Sequence, residues 1–115
     1  MVYRAVFHLD ANDEKIFALG LNNVTNLLKA IPNDHHDVVM LFNGPAVQLL
    51  QQESCALQEN IRNLQQQRVV FKVCNNALNK FGVTTEDLVP GCIVIPAGIV
   101  ELIVLQQDGY AYIKP

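Results

Sequence analysis

Residues 69–81 have the sequence VVFKVCNNALNKF, in which a short apolar run passes directly into a helix-like stretch. The run Val69–Val73 predicts a strand, and residues 75–81 predict a short helix. Cys74 therefore places a thiol where a strand gives way to a helix. Ligands of an open α/β sheet bind beyond the carboxyl ends of its strands. The unpaired N–H groups at a helix start also favour the thiolate, which is the nucleophilic form, so Cys74 is the first candidate for chemistry.

The same alternation of apolar runs and helical patterns extends along the whole chain. Strands are predicted at residues 2–8, 37–42, 69–73, 92–95 and 110–113, and helices at residues up to 30, 46–51, 53–66, 75–81 and 99–107. Asp10 or Asn12 is placed to cap the first helix. Residues 99–107 fit either element by periodicity, and we assign a helix because a parallel crossover is needed there. This alternation predicts an α/β fold with a mostly parallel five-stranded sheet and helices on both faces.

The composition limits the classes of protein to which this chain can belong. Its 115 residues, half of them hydrophobic, suit one domain over residues 1–115 with one core. Lysine and arginine are scattered singly and the formal net charge is −3, so nucleic acid is not an expected partner. No apolar segment approaches the roughly 20 residues of a membrane helix, and the N-terminus lacks the apolar region of a signal peptide. A cytoplasmic protein without membrane contact is therefore expected. Charged residues make up only 17%, which hints at surface buried between the subunits of a homo-oligomer.

The three cysteines, Cys55, Cys74 and Cys92, form no CxxC motif and cannot all pair within one chain. They are expected as thiols in a reducing compartment. Cys55 falls on the inner face of a predicted helix and Cys92 at a strand start, so both are assigned to core or interface. The pair His35 and His36 is expected in a solvated loop, and no HxxxH or HExxH motif is present, so no metal site is predicted. The chain also lacks GxGxxG, GxxxxGKS/T and GxSxG motifs, so dinucleotide-binding, P-loop and hydrolase functions lack their key residues.

The carboxyl ends of four predicted strands define one rim of the sheet, provided that the first three strands are neighbours. The candidate site residues on this rim are His8, Asp10, Asn43, Gly44, Cys74, Asn75, Asn76, Pro96 and Gly98. In this hypothesis Cys74 is the nucleophile or sulfur carrier, and His8 accepts a proton or stabilises the thiolate. The asparagine side chains donate hydrogen bonds, and the helix starts cradle a small anion. Lys72 and Lys80 lie close in sequence and would add positive potential.

Segments in a particular order and spacing carry a family resemblance over essentially the whole chain. They are Phe7-His8-Leu9-Asp10, Leu21-Asn22-Asn23 with Leu27-Leu28, Phe42-Asn43-Gly44-Pro45, Val70 to Leu78, Val89-Pro90-Gly91, Ile95-Pro96-Ala97-Gly98, Glu101-Leu102 and Gln106 to Pro115. With these segments the chain resembles the DsrE/DsrF-like family of small sulfur-relay proteins. The resemblance implies a flavodoxin-like three-layer sandwich, assembly as a homotrimer or homohexamer, and no metal or organic cofactor.

The resemblance also implies a role for Cys74, which matches the position after the third strand where a family cysteine is thought to carry a persulfide. A donor would pass its outer sulfur to Cys74, and an acceptor thiol on a partner protein would then remove it. Two other functions stay open. The rim could hold a small anionic metabolite or nucleotide without catalysis, or the chain could be a structural subunit of a homo-oligomer.

Overall fold

Five parallel strands form one sheet in the computed structural model, which describes residues 1–115. The strands are β1 Val2–Leu9, β2 His35–Phe42, β3 Val70–Cys74, β4 Ile93–Ile95 and β5 Ala111–Ile113. Their order across the sheet is β4-β3-β2-β1-β5. The α-helices are α1 Glu14–Ala30, α2 Gln58–Gln66, α3 Asn75–Phe81 and α4 Gly98–Gln107. The predicted α/β class is confirmed, and the sheet is entirely parallel.

The helices cover the two faces of the sheet unequally. The chain steps in one direction from β1 to β4 and then returns to the opposite edge for β5. Because parallel crossovers are right-handed, α4 lies on the face opposite to α1, α2 and α3. The face under α1 to α3 holds a cluster of 24 buried residues, whereas α4 contributes Leu102 and Leu105 to a cluster of five. The three-layer sandwich is thus confirmed, with one thick and one thin outer layer.

The thin layer leaves apolar side chains of α4 in solvent. Ile99, Val100, Ile103 and Val104 are each between 42% and 62% exposed. No helix is both long and apolar enough to cross a membrane.

Asp13 caps α1, and the prediction of Asp10 or Asn12 is wrong. The Asp13 carboxylate accepts hydrogen bonds from two backbone N–H groups of the first turn, at 2.9 and 3.2 Å. The side chains predicted to cap are used elsewhere. Asp10 forms an ion pair with Lys114, and Asn12 donates to the side chain of Gln48 at 2.7 Å.

The segment 46–66 also differs from its prediction. Residues Gly44–Leu50 form a 3-10 helix, and α2 begins only at Gln58, so Cys55 lies in the segment between these helices and not on the inner face of a helix. The cause is backbone pairing with a distant segment. Gln51 forms an antiparallel bridge with Leu88, which requires extended backbone where the sequence favours helix.

The predicted loop at His35 and His36 is wrong as well, because both residues begin β2. They pair in register with Val2 and Tyr3 of β1. Nε2 of His36 donates a hydrogen bond to the carbonyl of Gln67 at 2.8 Å.

Candidate functional site

Cys74 ends β3 and directly precedes α3, with only 4% of the residue exposed. Its Sγ accepts a hydrogen bond from the backbone N–H of Gly98 at 3.3 Å. Gly98 is the first residue of α4, so this N–H is one of the donors that a helix leaves without an intrahelical partner. A hydrogen bond and the positive end of a ten-residue helix both favour negative charge on sulfur.

Close packing at the start of α4 explains why residue 98 is glycine. A Cβ at this position would lie 3.0 Å from Cγ and Oδ1 of Asn43 and 3.3 Å from Cβ of Cys74. Asn43 follows β2 and Cys74 ends β3, and these strands are neighbours. Asn43, Cys74 and Gly98 therefore meet in one three-way contact at the carboxyl edge of the sheet.

A cavity of about 280 Å³ opens beside this contact. Its polar lining includes Asn43, Gly44, Cys74, Asn76, Lys80 and Gly98, and its apolar lining includes Pro45, Phe81 and Ile99. Lys80 is the one charged side chain among the lining residues. The cavity thus joins a buried thiol, two side-chain amides and one cation.

Gly44 and Asp10 form the side of the rim next to β1. The backbone of Gly44 has φ +53°, a left-handed conformation that favours glycine, and its N–H donates to Oδ1 of Asn43 at 3.1 Å. The carbonyl of Asp10 lies 3.7 Å from where a Cβ of Gly44 would be. The hydrogen bond from Lys114, together with its charge, holds the pKa of the Asp10 carboxyl below its usual value. Asp10 thus approaches the rim through its backbone, while its carboxylate is engaged by Lys114.

His8 lies on β1, which is separated from β3 by β2, and it does not line the Cys74 cavity. It is 8% exposed, its Nδ1 is 2.7 Å from the hydroxyl of Tyr112, and its Nε2 is buried without a partner. Burial lowers the pKa of His8, opposed by the charge of Asp10 and assisted by that of Lys114. The imidazole is therefore held neutral within the sheet, and it has no contact with the thiol through which to act as its base.

Two other rim candidates lie outside the cavity. Asn75 lines a separate cavity with Asn79 and Thr84, and Pro96 is exposed between β4 and α4. Of the nine residues predicted from the sequence, the structure collects Asn43, Gly44, Cys74, Asn76 and Gly98 around one cavity. It leaves His8, Asp10, Asn75 and Pro96 outside that lining.

The profile of the DsrE/DsrF-like family matches residues 4–115. The chain belongs to the DsrE/DsrF-like family. No curated protein matches the sequence.

Solved structures similar to this DsrE/DsrF-like chain share its fold over nearly the full length. A protein of unknown function from Methanobacterium thermoautotrophicum is 30% identical, with a TM-score of 0.89 and coverage of 98% of this chain and 99% of the other. The ychN protein from E. coli is 20% identical, with a TM-score of 0.77 and coverage of 98% and 99%. A conserved protein of unknown function from Bacteroides thetaiotaomicron is 17% identical, with a TM-score of 0.71 and coverage of 96% and 93%.

One contact near the site of this DsrE/DsrF-like protein does not follow from the sequence. Lys72 on β3 forms an ion pair with Glu101 on α4, and the two side chains are only 20% and 21% exposed. The pair ties the start of α4 to the strand that ends in Cys74. The sequence does indicate that Glu101 is an acidic residue in the first turn of a predicted helix, where it interacts favourably with the helix dipole. That Lys72 is its ion-pair partner could not be predicted, because this depends on the order of the strands.

The other two thiols have environments unlike that of Cys74. Burial raises the pKa of Cys55, and burial with a smaller contribution from Cys55 raises the pKa of Cys92 to about 12. Both pack partly buried against the main core, so they are held as neutral thiols at physiological pH. No group of three or more His, Cys, Asp or Glu residues is placed to hold a metal ion.

Proposed function

We propose that this protein is a sulfur-relay protein, in which Cys74 accepts the outer sulfur of a persulfide and passes it to an acceptor thiol. The observation that carries the proposal is the hydrogen bond from the Gly98 N–H to Cys74 Sγ at 3.3 Å, beside a cavity that admits a small group. Membership of the DsrE/DsrF-like family supports the same chemistry.

The proposed reaction has two steps and is neutral in oxidation state. In the first, the Cys74 thiolate attacks the outer sulfur of a donor R–S–SH, the donor S–S bond breaks, and the thiolate R–S⁻ leaves. In the second, an acceptor thiolate attacks the outer sulfur of Cys74–S–SH, and the Cys74 thiolate is regenerated. The Gly98 N–H stabilises negative charge on Cys74 both as it attacks and as it leaves. Neither step requires a metal or an organic cofactor, and the activity is that of a sulfurtransferase or a persulfide carrier.

The assembly and its partners are part of this proposal. We expect a homo-oligomer, either a trimer or a hexamer, because Ile99, Val100, Ile103 and Val104 form an exposed apolar strip on α4. Native mass spectrometry would give three or six times the chain mass of 12.8 kDa, whereas a monomer would contradict the expectation. A donor and an acceptor of sulfur are further expected partners. A reducing compartment such as the cytoplasm is where an unpaired thiol stays available.

Intact-mass spectrometry after incubation with a persulfide donor tests the function. The expected product carries one additional sulfur atom, which fragmentation locates on Cys74 and which reducing agent removes. The Cys74→Ser variant should gain no sulfur, whereas the control variant Cys92→Ser should gain as much as the unaltered protein. Sulfur that still accumulates in Cys74→Ser would contradict the assignment.

A second function is favoured by the lining of the same cavity. Lys80 and the amides of Asn43 and Asn76 suit a small anionic metabolite or nucleotide bound without catalysis. In that case the anion should raise the melting temperature, and the rise should survive Cys74→Ser because the thiol does not react. A rise that is lost in Cys74→Ser would favour the sulfur relay.

A further inference from the structure

Access to Cys74 restricts the shape of any sulfur donor. The residue is 4% exposed, and its sulfur lies beside the start of α4 and the Asn43 side chain. A donor sulfur must therefore enter the cavity of about 280 Å³, which is at or below the lower limit for pockets that bind drug-sized molecules. A persulfide on a slender group fits this space, whereas one on a flat protein surface would stay outside it.

The charge of the cavity restricts the donor further. Lys80 is the one charged residue of the lining, and it belongs to none of the five ion pairs of the chain. Its Nζ lies 5.7 Å from the centre of the Phe81 ring, and both residues line the cavity. An unpaired ammonium beside neutral amides and apolar groups favours an anionic ligand over a neutral one of the same size.

The position of Lys80 on α3 sets how far the charge lies from the reacting sulfur. Lys80 lies six positions after Cys74, which corresponds to about 9 Å along a helix axis. Cys74 and Lys80 line the same cavity, so one small ligand in that space can meet both side chains. A carboxylate a few bonds from a sulfane sulfur therefore reaches Lys80 while the sulfur meets the thiolate.

We propose that the sulfur donor of Cys74 is a small persulfide that carries a carboxylate, and that Lys80 binds this carboxylate. The proposal rests on the sulfur-relay function proposed above. The Cys74 thiolate attacks the outer sulfur of the donor ⁻OOC–R–S–SH, the new S–S bond forms on Cys74, and ⁻OOC–R–S⁻ leaves. The outer sulfur keeps its proton, so no oxidant or reductant is consumed.

A matched pair of donors tests the charge. The persulfides of 3-mercaptopropionate and 3-mercaptopropionamide have the same skeleton and differ only in carboxylate against amide. The rate at which each donor loads Cys74 is measured by rapid quenching and intact-mass spectrometry. The corrected rate is this rate divided by the rate at which the same donor reacts with a small free thiol. The corrected carboxylate rate should be about two to five times the amide rate at low salt, which corresponds to an exposed ion pair. The preference should shrink in high salt because the charges are screened.

Variants of Lys80 separate this charge from other effects. Lys80→Gln should bring the corrected ratio to about one, and Lys80→Glu should reverse the preference. The control Lys29→Gln removes an exposed lysine at the end of α1, distant in sequence from the cavity lining, and should keep the ratio of the unaltered protein. Alkylation of Cys74 by neutral iodoacetamide, run beside each variant, reports whether the fold and the thiol are intact.

The outcomes distinguish the two proposals. If both donors load Cys74 at equal corrected rates, or if the ratio does not respond to Lys80, the donor proposal is overturned and the sulfur relay stands. If neither donor loads Cys74 although iodoacetamide labels it, both proposals are overturned.

Discussion

Replacing Gly98 with alanine tests the contact on which the site depends. The added Cβ would lie 3.0 Å from Cγ and Oδ1 of Asn43 and 3.3 Å from Cβ of Cys74, so at least one neighbour must move by a few tenths of an ångström. Asn43 is held by its hydrogen bond from Gly44, and Cys74 is held in register beside Ile95 of β4. We therefore expect the start of α4 to shift away from the sulfur.

The size of the effect follows from two opposed contributions. Overpacking costs about 1–3 kcal/mol, and the better helix propensity of alanine returns up to about 1 kcal/mol. A net loss of about 1 kcal/mol should lower the melting temperature of a chain of this length by roughly 3–6 °C. Hydrogen bonds to charged groups contribute about 1.5–3 kcal/mol, which corresponds to roughly 10- to 150-fold if the bond is lost completely. Partial weakening of the bond from the Gly98 N–H should therefore slow iodoacetamide alkylation of Cys74 about three- to tenfold at pH 7.

The assay combines thermal unfolding with alkylation kinetics resolved by peptide mass spectrometry. Gly20→Ala is the matched control because Gly20 is also helical, but its nearest neighbours, at 3.4 Å, are the side-chain atoms Met40 Cε and Pro115 Cγ. This control should keep the melting temperature or raise it, and should leave the alkylation rate of Cys74 unchanged. If Gly98→Ala leaves both the melting temperature and the alkylation rate unchanged, the N–H of residue 98 does not stabilise the thiolate and the reasoning is refuted.

Three further predictions concern groups around the site. Replacing Lys72 with Met and Glu101 with Gln together keeps the net charge but unties α4 from β3, so Cys74 should be alkylated a few times more slowly. Urea unfolding of this double variant should change little because a half-buried ion pair contributes little net stability, and an unchanged alkylation rate would contradict the link. Burial lowers the pKa of His8 from its ordinary value of 6.5, so the unfolded chain binds more protons as the pH falls below that value. The contribution of His8 to the free energy of unfolding is therefore fully present above about pH 6.5 and is lost as the pH falls below that value. Urea unfolding should accordingly give a lower free energy of unfolding at pH 5.5 than at pH 7.5, and this difference should be smaller in His8→Gln. The pKa of Cys92 is raised to about 12, so native protein at pH 8 should show iodoacetamide label on Cys74 before Cys92, with Cys92 labelled after denaturation; equal rates would contradict this raised pKa.

The central strands of the sheet could be predicted from the sequence because they are covered on both faces. The apolar runs at residues 38–42 and 69–71 follow directly from that burial, and they lie within β2 and at the start of β3, in the middle of the observed sheet. The strands β2, β3 and β4 are neighbours in the sheet. The rule that ligands bind at strand carboxyl ends therefore correctly predicted that Asn43, Cys74 and Gly98 lie close together.

The features that could not be predicted depend on contacts between distant segments. Gln51 is extended because it pairs with Leu88, 37 positions later, and local propensity contains no trace of that partner. Asp10 does not cap α1 because the helix begins at Glu14, and the Asp10 carboxylate pairs instead with Lys114, which the return of β5 to the edge beside β1 brings near. Both contacts join residues far apart in the sequence, and such pairings cannot be read from single-sequence patterns.

The same argument explains why the predicted rim divides into two groups. Neighbouring strands lie about 4.8 Å apart, so β1 and β3 are separated by about 10 Å with β2 between them. A side chain on β1 cannot touch a thiol at the end of β3 across that distance unless it is long and points along the rim. His8 is short, and it is tied to Tyr112 on the far side of β1. The chemistry of Cys74 must therefore be supported by β2, α3 and α4, and the groups that these elements supply are backbone N–H, amide and ammonium, which all stabilise negative charge.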